Sequence, residues 1–451
     1  MQQIWRKGFL LIVVGVLWLG TACSLLQPPP RPVIPTPPPT ARPIALAEVR
    51  DLVVDPVSTL VPAVDPEIEA LMNAVSEQQL QGYVQTLEGF YTRNTFSVTD
   101  ETDRGIGAAR TWIFNEFVRV GNGRLQVQFD DFPLNFDGTV LQQQNVIATL
   151  PGTGPHPGVV VFVAHYDSRT VDFNDATGFA PGANDNASGV AAMLEIARIL
   201  SSRTWNQTVV FVAFAAEEQG MFGSRHFVAN RLLQGWLVDA ALNNDIIGGH
   251  PGIPQSVRVF SPGPATNPAR HLARYVNYIG GLYLPTFPAT LEDAIDREGR
   301  YGDHISFING GIPAVRLTES VETPEFQHNG LDTSDRLDYS YLKKVTQLNL
   351  VVLANAIGGP PPPPVPTVSP ADQPGAYVLN WTPDPLAAGY VISFRPAESE
   401  ELMPFRFVNS LQAGNVAITG LDPAMTYAVS LAALDENGRM GLFSTEVLVG
   451  P

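Results

Sequence analysis

The run Gly158-Val159-Val160-Val161-Phe162-Val163-Ala164-His165-Tyr166-Asp167 sets the fold class of this chain. Residues 158–164 carry no polar side chain at all, so the segment has no face to offer to water. A short run of this kind reads as a strand covered on both sides by other elements. A second such run follows at 208–213, and further strand candidates lie at 236–242, 258–260 and 314–318. Helical spacing marks 187–200, 222–233 and a long stretch at 340–357. Strand–helix alternation predicts an α/β fold, a mixed and mostly parallel sheet flanked by helices. Upstream, Ser76-Glu77-Gln78-Gln79 has the form of a capping box, with apolar residues at helical spacing through Phe90. Another helix is expected near 108–120, and β-formers gather at 124–130 and 144–150.

Acids and histidines collect where these strands end. His165 and Asp167 close the first run, and Asp185 lies in the loop Gly182-Ala183-Asn184-Asp185-Asn186-Ala187-Ser188-Gly189. Glu217-Glu218 follows the second run, Asp245 ends the third strand, and His328 lies far along the chain. An open α/β sheet carries its chemistry at the carboxyl ends of its strands. Carboxylates and neutral imidazoles are donors for divalent metals, and two such ions about 3.5–4 Å apart can clamp both oxygens of a hydrolysis. Asp167, two positions after His165, points to the same side of an extended chain. There it is suited to accept the second ring N–H of a ligating histidine. Adjacent acids at a strand end face opposite ways, so one of Glu217 and Glu218 is able to ligate while the other stays free. Asp185 at a helix start reads equally well as an N-cap.

Length and composition bound the rest. A chain of 451 residues exceeds one typical domain, and 45% hydrophobic residues supply a sizeable core. Forty prolines point to linkers. The net charge of −17 argues against nucleic acid and does nothing to attract an anionic membrane. With one cysteine there is no internal disulfide, so stability must come from packing and metal.

Arg6 and Lys7 precede an apolar run from Phe9 to Leu19, too short for a comfortable membrane span. Leu19-Gly20-Thr21-Ala22-Cys23 follows, with the only cysteine of the chain. This resembles a bacterial lipoprotein signal, although Gly20 stands where a branched aliphatic residue is usual. The expectation is a signal peptide over 1–22, a lipidated Cys23 and a proline-rich tether through 65, hence export to the cell surface or beyond. Pro360–Pro364 is an unbroken proline run, giving a linker over 359–365 between a catalytic body at 66–358 and a segment at 366–451. In that last segment Trp381, Tyr390, Leu421 and Tyr427 stand among short alternating strands. Leu421-Asp422-Pro423-Ala424-Met425-Thr426-Tyr427 resembles the tyrosine corner of a fibronectin type III sandwich, with Trp381 as its core tryptophan. The segment is expected to be an all-β sandwich and an independent module.

Residues of about 75–358 resemble the secreted co-catalytic zinc aminopeptidases, whose wider family includes glutamate carboxypeptidases and glutaminyl cyclases. The matching segments are His165-Tyr166-Asp167, Pro181 through Gly189, Glu217-Glu218-Gln219-Gly220, Asn244-Asp245, His328 with Asp332-Thr333-Ser334-Asp335, Tyr301 through Phe307, and Gly311-Ile312-Pro313. The resemblance implies two Zn²⁺ per chain. Asp185 would bridge them, His165 and Asp245 would complete one, and Glu218 and His328 the other. Glu217 would be the general base and Asp167 would orient His165. The implied activity is removal of N-terminal residues from peptides. A carboxypeptidase, a dipeptidase, a cyclase, or an inactive binding protein on the same scaffold are the alternatives. Some relatives carry a tyrosine just before the last histidine; here that place is Gln327, and Tyr301 is a candidate substitute. His304 is read as packing or as support for a ligand.

Overall fold

The computed structural model describes residues 60–451. The signal segment, Cys23 and nearly all of the tether lie outside the described residues. No helix among the described residues is long and apolar enough to cross a membrane.

Alternate residues of the two valine-rich runs go to opposite cores. Val160, Phe162 and Ala164 of β3 (Val159–His165) join one apolar cluster, with Val209, Phe211 and Ala213 of β4 (Thr208–Phe214). Val161, Val163, Val210, Val212 and Phe214 join the other. The first cluster is roofed by the helices Ser188–Leu200 and Tyr339–Gly358, the second by Phe227 and Phe307. Period-two side-chain alternation on a doubly covered strand requires this split. Each large apolar side chain buried in this way contributes about 1.5–3 kcal/mol.

The full sheet has eight strands in the order β1-β2-β4-β3-β5-β8-β6-β7. Its remaining members are β1 (Gln126–Phe136), β2 (Thr139–Leu150), β5 (Val238–Asn244), β6 (Val257–Ser261), β7 (Ala289–Asp293) and β8 (Ala314–Glu319). The four central strands β4, β3, β5 and β8 run parallel, while β2 joins β4 and β6 joins β8 antiparallel. The α/β expectation therefore holds. The two patches of β-formers at 124–130 and 144–150 turn out to be one long hairpin, closed by Asp137-Gly138 with both residues at positive φ. Ser76 caps the helix Glu77–Gly89 by accepting from Gln79 N–H. The reciprocal half of the capping box is replaced, because Ser76 N–H donates to the buried Glu195 at 2.8 Å.

The C-terminal strands are all antiparallel and form two sheets. One holds β9 (Thr367–Pro370), β10 (Tyr377–Asn380) and β13 (Asn415–Ile418). The other holds β11 (Gly389–Pro396), β12 (Arg406–Asn409), β14 (Tyr427–Leu434) and β15 (Val447–Val449). Leu379, Trp381, Tyr390, Ile392 and Val429 share one core between them. Tyr427 Oη accepts the backbone N–H of Asp422 at 3.1 Å, the bond of a tyrosine corner. The expectation of an independent module meets a large interface. Val391, Ala432, Leu434, Met440 and Leu442 belong to the same apolar cluster as the central helices of the body. Tyr275 Oη donates to Met440 O at 2.8 Å, and Arg274 and Arg395 converge on Glu446.

Candidate metal centre

The strand order brings the expected residues together. His165 is the last residue of β3, Asp245 follows β5, and Glu217 and Glu218 follow β4. These three strands are parallel, so their carboxyl ends open on one edge of the sheet. The loop before the helix Ser188–Leu200 carries Asp185 to the same edge. Gly182 turns that loop at φ 53°, and a Cβ there would sit 2.5 Å from Asp185 O. Gly189 lets the helix approach β5, since its Cβ would meet Asn244 O at 2.4 Å.

Asp185 faces two histidines with its two oxygens. Oδ1 lies 3.2 Å from His165 Nε2, and Oδ2 lies 3.1 Å from His328 Nε2. Asp245 Oδ1 is 3.4 Å from His165 Nε2, and Glu218 Oε2 is 3.5 Å from His328 Nε2. The donors thus fall into two groups, His165–Asp185–Asp245 and Asp185–Glu218–His328. All five are buried or nearly so, yet Asp245 Oδ1 and Glu218 Oε1 have no hydrogen-bond partner. A buried carboxylate oxygen left open costs free energy unless a cation takes it up. The electrostatics agree. Burial opposes a charge on His165, but the surrounding carboxylates of Glu217, Asp167, Asp185 and Asp245 hold its proton affinity well above the usual histidine value. Asp185, despite its burial, is held well below the usual carboxylate range by the two histidines. The donor set fits divalent metal in both groups.

Glu217 belongs to neither group and lines the cavity of about 250 Å³ over the centre. Desolvation pushes its carboxyl well up; His165 opposes this, and Asp303, Asp245 and Glu218 add to it. Asp167 does more than the sequence reading gave it. His165 Nδ1 bonds the backbone O of Asp167 at 3.1 Å, with the carboxylate farther away at 3.6 Å. The carboxylate itself accepts the N–H groups of Glu217 at 3.2 Å and Glu218 at 3.1 Å. One residue therefore fixes both the first histidine and the acid pair.

Among the other supports, Arg316, Arg93 and Arg169 carried no sequence signal that separates them from surface residues, whereas Asp332 and Asp303 stood in family-matching segments with no role given to them. Arg316 is fully buried on β8, 3.1 Å from Asp245 Oδ2 and 2.7 Å from Asp296. Arg93, also buried, donates to Pro181 O and Gly182 O and so holds the Asp185 loop. Asp332 accepts Asn184 N–H at 2.7 Å and Asp185 N–H at 2.9 Å; its burial raises its carboxyl to about 7. Arg169 donates to Glu218 Oε2 at 2.6 Å and contacts His328 Nδ1 at 2.8 Å. Asp303 is buried with both oxygens unbonded and raised to about 7, chiefly by desolvation. His304 is buried and bonds Ile295 O at 2.6 Å, a packing role. Gln327 is turned toward Arg300 and Glu322, whereas Tyr301 lines the cavity.

Among the described residues seven non-glycine residues have positive φ, and Ala216, Met221, Ile246 and His328 lie at this site. Such backbone costs about 1–3 kcal/mol per residue and persists where surroundings impose it.

A parallel sheet with paired groups of histidine and carboxylate donors at its strand ends is the architecture of a metal-dependent hydrolase. The chain belongs to peptidase family M28, matched by residues 145–353, and is a zinc metallopeptidase. A probable zinc metalloprotease of Pyricularia oryzae is 32% identical over 399 residues, covering 78% of each chain. One of Leptosphaeria maculans is 32% identical, covering 65% of this chain and 77% of its own. Among solved structures, the Legionella pneumophila LapA aminopeptidase matches 65% of this chain and 76% of its own at TM-score 0.52 and 22% identity. Porphyromonas gingivalis glutaminyl cyclase matches 62% of this chain and 98% of its own at TM-score 0.50 and 22% identity. At these identities the two structures speak for the fold alone.

Proposed function

We propose that this protein is an exported di-zinc exopeptidase that removes residues from the N-termini of peptides. The observation that carries the reading is Asp185, whose two oxygens each face a different histidine and so join two donor groups. His165 and Asp245 would hold one ion, Glu218 and His328 the other, and Asp185 both. When bound, the ions supply Lewis-acid charge for the scissile carbonyl and lower the pKa of the attacking water. Glu217, free of ligand duty, accepts the proton of that water and returns it to the leaving amine. A carboxylate that lines the cavity and belongs to neither donor group suits both halves of that transfer. Asp167 holds the turn at Glu217 and Glu218 so that neighbouring carboxylates serve different tasks. Tyr301, which lines the cavity, is the candidate for the place that Gln327 leaves without a tyrosine.

The test is a panel of peptides with free, amino-blocked and carboxyl-blocked ends, assayed with and without zinc. Amino-free peptides should shorten from the N-terminus, amino-blocked ones should resist, and a chelator should stop both. Release from the C-terminus, or cyclisation of N-terminal glutamine as the main reaction, would overturn the reading in favour of its relatives' other chemistries. Export through a lipid anchor at Cys23 has its own test. Cys23→Ser should move the protein from membranes to the soluble fraction, and unchanged fractionation would reject the anchor.

A further inference from the structure

Four arginines line the cavity over the metal centre, Arg169, Arg225, Arg297 and Arg300, in a chain whose net charge is −17. Two of them are spoken for. Arg169 is paired with Glu218 and stacked 4.0 Å over Phe173, and Arg297 is paired with Glu322 and Asp296. The other two have no carboxylate. Arg225, in the first turn of the helix Phe222–Leu233, is exposed and makes no side-chain hydrogen bond or ion pair among the described residues. Arg300 donates to the amide oxygen of Gln327 at 3.0 Å and lies 3.5 Å from His328 Nε2. Ligation would take that nitrogen away from Arg300. The remaining charges of the wall are Asp185, Glu217, Glu218 and Asp245, and two divalent ions would offset them. The loaded cavity is then left with two unpaired guanidinium groups at its wall. A guanidinium presents paired donors that match the two oxygens of a carboxylate.

We infer that Arg225 and Arg300 select substrates with a carboxylate close to the scissile bond. This rests on the exopeptidase reading and narrows its substrate class. The carboxylate has two sources, an aspartyl or glutamyl side chain at the N-terminal residue, or the free C-terminus of a dipeptide.

Four substrates separate them, assayed with the zinc-loaded full chain: Leu-Ala-amide, Glu-Ala-amide, Leu-Ala and Lys-Ala-amide. Glu-Ala-amide above Leu-Ala-amide assigns the side chain; Leu-Ala above Leu-Ala-amide assigns the C-terminus. The favoured ratio of kcat/KM should be about tenfold or more, the scale of one hydrogen-bonded charge pair. It should collapse toward one in Arg225→Ala with Arg300→Ala, and rising salt should weaken it. Arg225→Glu should raise Lys-Ala-amide relative to Glu-Ala-amide. Thermal unfolding and zinc content of each variant identify any that has failed to fold, and Arg225→Gln with Arg300→Gln then supplies the neutral replacement. Equal rates on all four substrates, or a preference that survives the double variant, would overturn the inference and leave the exopeptidase reading standing. No cleavage of any substrate by the loaded wild-type chain would instead remove that reading.

Discussion

Glu218 and Glu446 are both buried glutamates beside arginine, and they are finished differently. Glu446 Oε1 lies 3.1 Å from Arg274 and 3.0 Å from Arg395, and its Oε2 lies 2.6 Å from Arg395. A second carboxylate, Glu400, binds Arg270 at 3.0 Å and Arg274 at 2.9 Å. Arg395 spends its other N–H groups on Ala397 O, Ser399 O and Ala265 O. Glu218 has Arg169 on Oε2 and nothing on Oε1, and Asp245 Oδ1 nearby is equally bare. Both clusters bury charge, which is costly unless paired. In the cluster under the C-terminal sandwich a guanidinium takes every carboxylate oxygen of Glu400 and Glu446, although Arg274 Nε and both ring nitrogens of His271 make no hydrogen bond, and the cluster serves as an interface. The cluster at the strand ends keeps oxygens open and depends on something that is not protein. Whether a buried cluster leaves carboxylate oxygens unbonded is thus the physical mark that separates the two.

The comparison predicts how each cluster breaks. Asp185→Ala should have the largest effect: both donor groups lose their shared member, so bound zinc should fall and turnover should drop to background. Elemental analysis and peptide assay check this together. Glu217→Gln should come next, with a rate loss of about 10²–10⁴, or roughly 3–5 kcal/mol of barrier. Zinc content should stay near that of the wild type; a variant that lost its metal would show Glu217 to be a ligand. Glu446→Ala attacks the cluster under the sandwich and should cost stability instead, about 3–5 kcal/mol, because Arg395 is left buried without a carboxylate and Arg274 keeps only Glu400. Chemical denaturation reads that loss, and zinc content should not follow it. Cutting the chain at Ile357 should act in the same direction, because Val345 and Leu353 of the body lie in one apolar cluster with Leu434 and Met440. A stable, active fragment would restore the independent module.

The smallest effect is a pH dependence at Glu319, which is a donor in neither cluster but accepts from Asn184 behind the metal centre. Glu319 is buried; desolvation, with Glu322 and Asp332 as like charges, raises its carboxyl from 4.5 to about 8 against the bonds from Asn184 and Gly249. The folded chain then holds this proton more tightly than the unfolded one. Its contribution is full below 4.5 and declines as pH rises toward about 8. Glu319→Gln, which keeps an accepting oxygen, should flatten that decline. Unfolding midpoints of the two proteins should diverge toward higher pH, and parallel curves would contradict the shift.

The parts of the fold that could be read in advance were those with a local cause. The runs at 158–164 and 208–213 leave no polar face, so their burial on two sides follows from composition. His165, Glu217, Glu218 and Asp245 follow strand signals directly, Asp185 sits in a Gly/Asn-rich loop that opens a helix, and the sheet had only to be parallel for the strand ends to meet. His328 is different: it lies in a loop far along the chain, and only the family pattern pointed to it. The hairpin at Asp137-Gly138 was legible but unread, since that dipeptide between β-formers is a strong turn signal. Arg93 and Arg316 were not legible. Their roles come from partners far away in sequence, and an arginine bound for the interior looks in sequence like one bound for water. The packing of the sandwich on the body was hidden for the same reason, because its apolar outer residues, Val391 and Ala432, alternate as inner ones do.

The entry of the described chain has a mechanical consequence. Ala63 N–H donates to Gly438 O at 3.2 Å, and the carboxylate of Asp65 takes the guanidinium of Arg439. Asp65 N–H donates to Tyr283 Oη at 2.9 Å. Tension arriving from residue 60 is therefore received first by the 435–439 turn of the sandwich and by the end of the helix Pro268–Tyr283. Neither carries a donor of the metal centre. The first described residues are thus fastened to the C-terminal sandwich as well as to the body, so the sandwich helps to fix where the chain enters the fold.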